Sequence, residues 1–433
     1  MMRFHVCTRM LLARLFFTSI CAAAALQAVP QAQQAPQQPQ AFVPPPMTPR
    51  PQPLPQAQQD ALVSRARDAL KSGRAANAIE LSDQVLSGAP DNMAAINVKI
   101  DATIALGDLR GALRAYDAFV NMSGRDSAAV LAPVARAYLK TLTQSTLIGT
   151  KIDALEALAA NGDADAKSTL QTLAKDDNAG RPAAEALARL GDKAAAQRVA
   201  QFAAQAQGSQ RADALRTIAT IKDVPAEALV REALKANDPA LQAAGADLAA
   251  ARGMKTLVPE LRQTMASGIA QGQYRAALAL VALGDSTGRE RVAEALASDV
   301  PDSRLSAAAA LRKTGDKSWI PRVTPLLANQ DGLNRFFAAE MLLPEDRAAA
   351  MRVLHPATAD PNPVIRGEAA RILAEAPSTD ISQLRPFLGD SAPRARLWAA
   401  KGVLAKAAAT TPAANPAAAP AAAKPAGKPA RRR

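Results

Sequence analysis

Arg366-Gly-Glu-Ala-Ala-Arg-Ile-Leu-Ala374 sorts into two faces at helical spacing, with Ala369, Ala370, Ile372 and Leu373 on one and Glu368 and Arg371 on the other. This is the pattern of an amphipathic helix with a core-facing stripe. Leu373 is also one of eight positions spaced by 31 residues, Leu187, Ile218, Ala249, Leu280, Leu311, Leu342, Leu373 and Leu404. A second column at the same interval reads Val199, Val230, Leu261, Val292, Val323 and Leu354, so each unit has two buried segments. Between them runs Gly191, Lys222, Gly253, Gly284 and Gly315, followed in four cases by Asp192, Asp223, Asp285 and Asp316. A glycine past a helix end supplies the left-handed residue that closes it, and the following aspartate can cap the next helix. The unit is therefore helix, tight turn, helix. One such pair cannot bury its own apolar face, but stacked pairs share a core. The expected fold class is all-α, an α-solenoid of two-helix repeats.

Composition agrees. Aromatic residues make up 3% of the 433, which leaves little material for a β-sandwich or parallel sheet. Residues 1–28 place Arg3, Arg9 and Arg14 ahead of the apolar run from Leu15 to Ala25, with small residues beyond. That is the pattern of a cleavable secretory signal peptide, cut near Ala25 to Ala28, and it implies export, in a bacterium to the periplasm. Met10 offers an alternative start. The run is short for a membrane span, although an uncleaved anchor is the competing reading. Cys21 raises a lipid anchor, but Ile20 stands where a lipidation motif wants a small residue. Both cysteines, Cys7 and Cys21, fall inside this segment, so the mature chain is expected to carry no disulfide and no thiolate metal site.

Residues 29–57 hold ten prolines and eight glutamines and read as an extended, disordered linker. Residues 406–433 read as a disordered Ala/Pro/Lys/Arg-rich tail. The formal charge is +13, and six of the 52 basic residues lie in this acid-free tail. Lys424, Lys428, Arg431, Arg432 and Arg433 thus form a candidate contact for a polyanion, salt-sensitive and blind to sequence. The competing reading is a solubilising tail with no dedicated partner.

Residues 58–147 carry a different period, 34: Ala66, Gly73, Ala78 and Pro90 recur as Ile100, Gly107, Ala112 and Gly124. Tyr116 and Phe119 fill two aromatic positions, and 127–142 reads as a capping helix. This segment resembles tetratricopeptide repeats, covering two units, with Gly124 in place of a closing proline. The resemblance implies generic peptide binding on a concave face that would show Val63, Arg67, Asn97 and Asp101. Residues 148–405, with Asp360-Pro-Asn-Pro-Val-Ile-Arg366 and Asp390-Ser-Ala-Pro-Arg-Ala-Arg396 as the best signature, resemble HEAT repeats of the short bacterial subtype called phycobilisome-lyase HEAT-like, in about eight units. Relatives of that subtype include bilin lyases, but nothing in this sequence marks a pigment site.

One column carries a candidate site. Arg211, Gln242, Gln273, Arg304, Arg335 and Arg366 recur every 31 residues and would stack into a polar ladder. Arginine forks recognise carboxylates and phosphates, which suggests a stripe for an acidic partner. The regular recurrence favours the other reading, in which each side chain bonds carbonyls or an aspartate across the turn of its own or a neighbouring unit, as the Asp360 and Arg366 spacing suggests. The positions two residues further on, Asp213, Ala244, Arg275, Ser306, Phe337 and Glu368, are expected to be exposed, and they share no chemistry. Phe336, Phe337 and Trp398 cluster large apolar side chains toward the C-terminal units and are the candidate partner surface, with core packing as the alternative.

Catalytic candidates are scarce. His355 is the one histidine outside the signal segment and has no triad or metal partner nearby in sequence. Asp163 and Asp165 flank an alanine at a turn, where capping explains them better than metal binding. No phosphate loop, nucleophile elbow or zinc spacing occurs, so no cofactor, metal or catalytic residue is expected. The expected function is an exported, non-enzymatic scaffold or adaptor for protein partners, with polyanion or envelope-surface binding through the tail as the alternative.

Overall fold

The computed structural model describes residues 54–410, which fold into 22 α-helices with no strand among the described residues. The signal segment, most of the linker and the basic residues from Lys424 onward lie outside the described residues. The N-terminal helices are α1 (Gln56–Lys71), α2 (Ala75–Gly88), α3 (Met93–Ala105), α4 (Leu109–Ser123) and α5 (Ala128–Leu142). The tandem array then runs α6 (Ile148–Ala160), α7 (Ala164–Leu173), α8 (Gly180–Arg189), α9 (Lys193–Gln205), α10 (Gly208–Ile218), α11 (Glu227–Lys235), α12 (Pro239–Arg252) and α13 (Val258–Ser267). It continues through α14 (Ala270–Ala282), α15 (Arg289–Ala297), α16 (Pro301–Lys313), α17 (Ile320–Val323), α18 (Gly332–Leu342), α19 (Arg347–Ala357), α20 (Pro363–Glu375), α21 (Ile381–Leu388) and α22 (Pro393–Thr410).

The turns follow from their residues. Gly191 adopts φ +87°, and this left-handed residue lets the Asp192 N–H reach back 3.0 Å to the carbonyl of the anchor Leu187. The same bond recurs from Met254 to the anchor Ala249 at 2.9 Å and from Asp285 to the anchor Leu280 at 2.8 Å, so in these units the anchor also marks the carbonyl that closes the helix. Asp192 then accepts the Ala195 N–H at 2.9 Å and caps α9. Where Lys222 replaces glycine the turn stays open until Glu227. Arg252, one unit on, fills it by donating to the carbonyls of Ile218, Ile221, Lys222 and Val224.

The first anchor column lies on the even-numbered helices from α8 to α22, and the second on the odd-numbered ones from α9 to α19. From α10 to α16, and again between α20 and α22, successive even-numbered helices pack side by side, while the odd-numbered helices touch one another far less and wedge beneath them. The layer in closer lateral contact has the smaller radius, so the even-numbered helices are the concave, inner layer. Every anchor is buried; Ile218, Ala249, Leu280 and Leu373 are fully so, inside one apolar cluster that runs from Ile96 to Leu404. A second cluster, from Leu278 to Leu342, lies among α14–α18, and a third, from Leu62 to Ala102, holds α1–α3 together.

Three details depart from the sequence reading. The last step of the array is 30 residues: Arg396 bonds the carbonyls of Asp390 and Ser391 as Arg366 bonds those of Asp360 and Pro361, which makes Val403 the equivalent of Leu373. Leu404 is buried as well because α22 is packed against α20, α21 and α5, so the slip left no trace in the column. Helix α22 also runs on to Thr410, past the expected start of the tail. The third concerns α5, the expected capping helix. Its outer side is covered by α22, in a contact as extensive as that between any neighbouring inner helices. The two ends of the array cap each other, and the packing from α5 through α22 forms a closed circuit with α1–α4 branching from it.

Candidate functional site

Each ladder position sits near the start of an inner helix, where the incoming loop leaves carbonyls without helical partners. Arg304 donates from Nε and Nη2 to the Ser298 carbonyl at 3.1 and 2.9 Å. Arg335 reaches the Asn329 and Gln330 carbonyls at 2.6 and 2.9 Å, and Arg366 those of Asp360 and Pro361 at 2.8 and 3.1 Å. Gln242 donates to the Ala236 carbonyl and accepts the Ile269 N–H of the next unit, both at 2.9 Å. Its amide lies so close to α14 that a Cβ on Gly272 would come within 2.1 Å of Oε1. Arg211 pairs with Glu232, and Gln273 accepts from Arg291 at 3.4 Å. The ladder thus joins helices to loops six residues behind them and to neighbouring units.

The candidate partner surface needs correction. Phe336 is 6% exposed and Phe337 is 7% exposed, in the first and second apolar clusters respectively, so neither presents a face to a partner. Trp398 is half-buried, with Lys401 Nζ 4.4 Å from its ring centre. Ala244 and Ser306, expected to be exposed, are buried like Phe337, Arg275 and Glu368 are half-buried, and Asp213 is exposed as expected. Val63, expected on the concave face of the N-terminal helices, is also buried, whereas Arg67, Asn97 and Asp101 are exposed.

Ion pairs that the sequence reading missed link successive inner helices. Glu156 takes the Arg189 fork at 2.9 and 2.8 Å, Asp247 pairs with Arg275 at 3.4 Å, Glu340 with Arg371 at 3.0 Å, and Glu368 with Arg394 at 2.7 Å. Arg371 is 3% exposed. Burial alone would lower its pKa, but Glu340, Glu368 and Glu375 outweigh that and hold it charged. At Asp247 the balance reverses, and burial pushes the carboxyl up despite Arg275 and Arg216. A signal existed: Glu185, Arg216, Asp247, Glu340 and Arg371 share one 31-residue column, interrupted by Leu278 and Ala309.

His355 is exposed on α19 beside Pro356. Asp163 accepts the Ala166 N–H at 3.0 Å as the cap of α7, and the Asp165 carbonyl accepts from Thr169 at 2.8 Å. No group of three or more His, Cys, Asp or Glu that could hold a metal ion occurs among the described residues. A shallow groove of about 560 Å³ lies between α14, α15 and α16, lined by Tyr274, Glu290, Arg291, Glu294, Ser298 and Ser303. Its tyrosine donates to the Ser303 carbonyl at 3.2 Å, and Glu290 and Glu294 stand in solvent one turn apart.

No protein-family model matches the chain, and no curated protein matches it. The geometry itself has to supply the functional reading. Among the described residues no helix is long and apolar enough to cross a membrane.

One surface departs from local rules. Because a returning helix follows each inner helix, the inner helices run in the same direction and their N-terminal ends share one rim. Asp238, Asp331 and Asn362 cap α12, α18 and α20 by accepting backbone N–H bonds. The same position is Leu147 on α6, Ile269 on α14 and Val300 on α16, and none of these has a side-chain cap. A polar cap is worth roughly 0.5–2 kcal/mol over an apolar residue, and these positions forgo it. They are also exposed: Leu147 by 67%, Val300 by 54%, with Ile148 and Val364 beside them on the same rim.

Proposed function

We propose that this protein is an exported, non-enzymatic scaffold or adaptor, built from tetratricopeptide-like and HEAT-like units, that holds protein partners against the N-terminal rim of its inner helices. What supports this reading is the rim itself. Large apolar side chains stand in water there, at the position where α12, α18 and α20 place aspartate or asparagine. A local rule broken at cost to stability is expected where a surface serves binding. The ladder and the inter-helix ion pairs are occupied within the fold and serve the frame that positions the rim.

The test uses Ile269→Asp and Val300→Asp together. Each new carboxylate is expected to cap its helix, so thermal stability should hold or rise. Photo-crosslinking in intact cells from a probe on α14 or α16 should lose its partner bands in this variant, while a probe on the outer helix α9 yields none in either protein. Unchanged crosslinks from the rim, or equal crosslinks from α9, would sink the reading. Export is tested separately by the intact mass of the protein from the periplasmic fraction, which should lack the residues up to a cut near Ala25 to Ala28.

A further inference from the structure

The contact between α5 and α22 joins residues 128–142 to residues 393–410, whereas every other extensive contact in the array joins helices near each other in the chain. Its apolar content is high: Leu131, Ala135 and Leu139 on α5, and Ala400, Val403 and Leu404 on α22, are buried. An ionic strap lies beside it. Arg385 of α21 pairs with Asp117 of α4 at 3.2 Å, stands 3.6 Å from Asp126, and lies with its guanidinium carbon 6.0 Å from the Tyr116 ring centre. Tyr116 in turn donates to Asp126 and accepts the Ser127 N–H at 2.7 Å.

Two of the five buried side-chain polar atoms that lack a hydrogen-bond partner among the described residues lie together at this seam, while the other three, Arg211 Nε, Arg252 Nε and Thr379 Oγ1, are scattered singly along the array. Tyr138 Oη of α5 and Arg385 Nη1 are both buried without a hydrogen-bond partner, and buried polar atoms in that state are rare in folded proteins because each forgoes its bonds to water. At the joints held by Arg366 and Arg371 the guanidiniums use every nitrogen. Opening at the seam would return both orphan atoms to water and would break no connection between consecutive helices.

We infer that the α5–α22 seam is a releasable clasp, and that a second copy of this chain takes the released faces, with α22 of one molecule seated on α5 of the other. The occupant follows from the structure: the face of α5 already fits α22, and two opened chains offer each other the same pair of faces reciprocally, which is the geometry of a swapped dimer. The ring is then a monomer when clasped and a two-fold dimer when exchanged.

Hydrogen exchange on the full-length chain reads the release directly. Amides of α5 and α22 should exchange together, on the order of ten-fold faster than those of α12 and α14. Arg385→Glu, which faces Asp117 and Asp126 with a like charge, should speed that exchange further and give a dimer in sedimentation velocity that grows from about 1 to about 100 μM protein. Adding Asp117→Arg to that variant should restore the slow-exchanging monomer. Arg385→Gln, which only removes the charge, should move both readouts the same way by less, and it keeps the test available if the reversal does not fold. Equal protection at the seam and the interior joints would overturn the inference. So would fast exchange in both Arg385 variants with no dimer over that concentration range.

Discussion

At the joint between α18 and α20, Arg371 is buried among three carboxylates and every guanidinium nitrogen is bonded. At the seam between α5 and α22, the nearby Arg385 meets two aspartates, one of them 43% exposed, and one of its nitrogens has no hydrogen-bond partner. Both places close a pair of helices over apolar side chains. They differ in how completely the charge is matched, and that difference sets what each removal should cost. Taking one partner from a fully enclosed ion cluster strands the others in low dielectric, whereas aspartates that keep water lose little.

The largest effect is therefore expected for Arg371→Ala. It leaves Glu340, Glu368 and Glu375 close together at 17–18% exposure, and unfolding in urea should show a loss of roughly 3–5 kcal/mol. Arg385→Ala should cost about 1 kcal/mol or less in the same measurement. Equal losses would erase the distinction between joint and seam.

A smaller effect is expected for Arg366→Lys, which tests whether the frame depends on the planar fork or only on the charge. Arg366 grips both oxygens of Asp390 at 2.7 and 2.9 Å while donating to the Asp360 and Pro361 carbonyls. An ammonium cannot span these acceptors at once, so a loss of about 1–2 kcal/mol is expected although the charge is kept. A loss within error of zero would show that the ladder contributes only its charge. Arg335→Lys, which has loop carbonyls but no carboxylate, should lose less than Arg366→Lys.

The same contrast explains what could be read from the amino acids. Leu187, Leu280 and Gly191 act through bonds at most five residues away, so a fixed spacing reveals them, and the ladder bonds six residues back are visible for the same reason. The meeting of α5 and α22 depends on the rotation accumulated over the whole array, a quantity that no single unit carries. Phe336 and Phe337 read as surface candidates because large apolar side chains cluster toward the C-terminal units, and as neighbours on an inner helix they point in different directions. In two layers of laterally packed helices both directions lead into a core. Arg385 and Asp117 were missed because they pair across 268 positions, beyond any repeat, whereas Glu340 and Arg371, one 31-residue step apart in a single column, carried a signal for the pair between their units.

The smallest expected effect concerns acid, and it separates exposed caps from enclosed joints. Asp285 accepts from Thr287 through both hydroxyl and backbone and from Arg262 at 2.6 Å, and these bonds hold its carboxyl down at about 2. A carboxyl depressed in the folded state stabilises the protein fully above its unfolded pKa, about 3.9, and that contribution is lost as pH falls through its folded value. Asp390 follows the same sign: burial would raise it, but Arg366 and the Ala392 N–H outweigh burial and leave it below the usual range. Asp285→Asn should therefore lower stability slightly at pH 7 and flatten the stability curve only between about pH 4 and pH 2. Thermal melts across that interval would show it. A variant whose curve stays parallel to the parent through pH 2 would mean that the cap acts through its hydrogen bonds alone, whichever protonation state the residue holds.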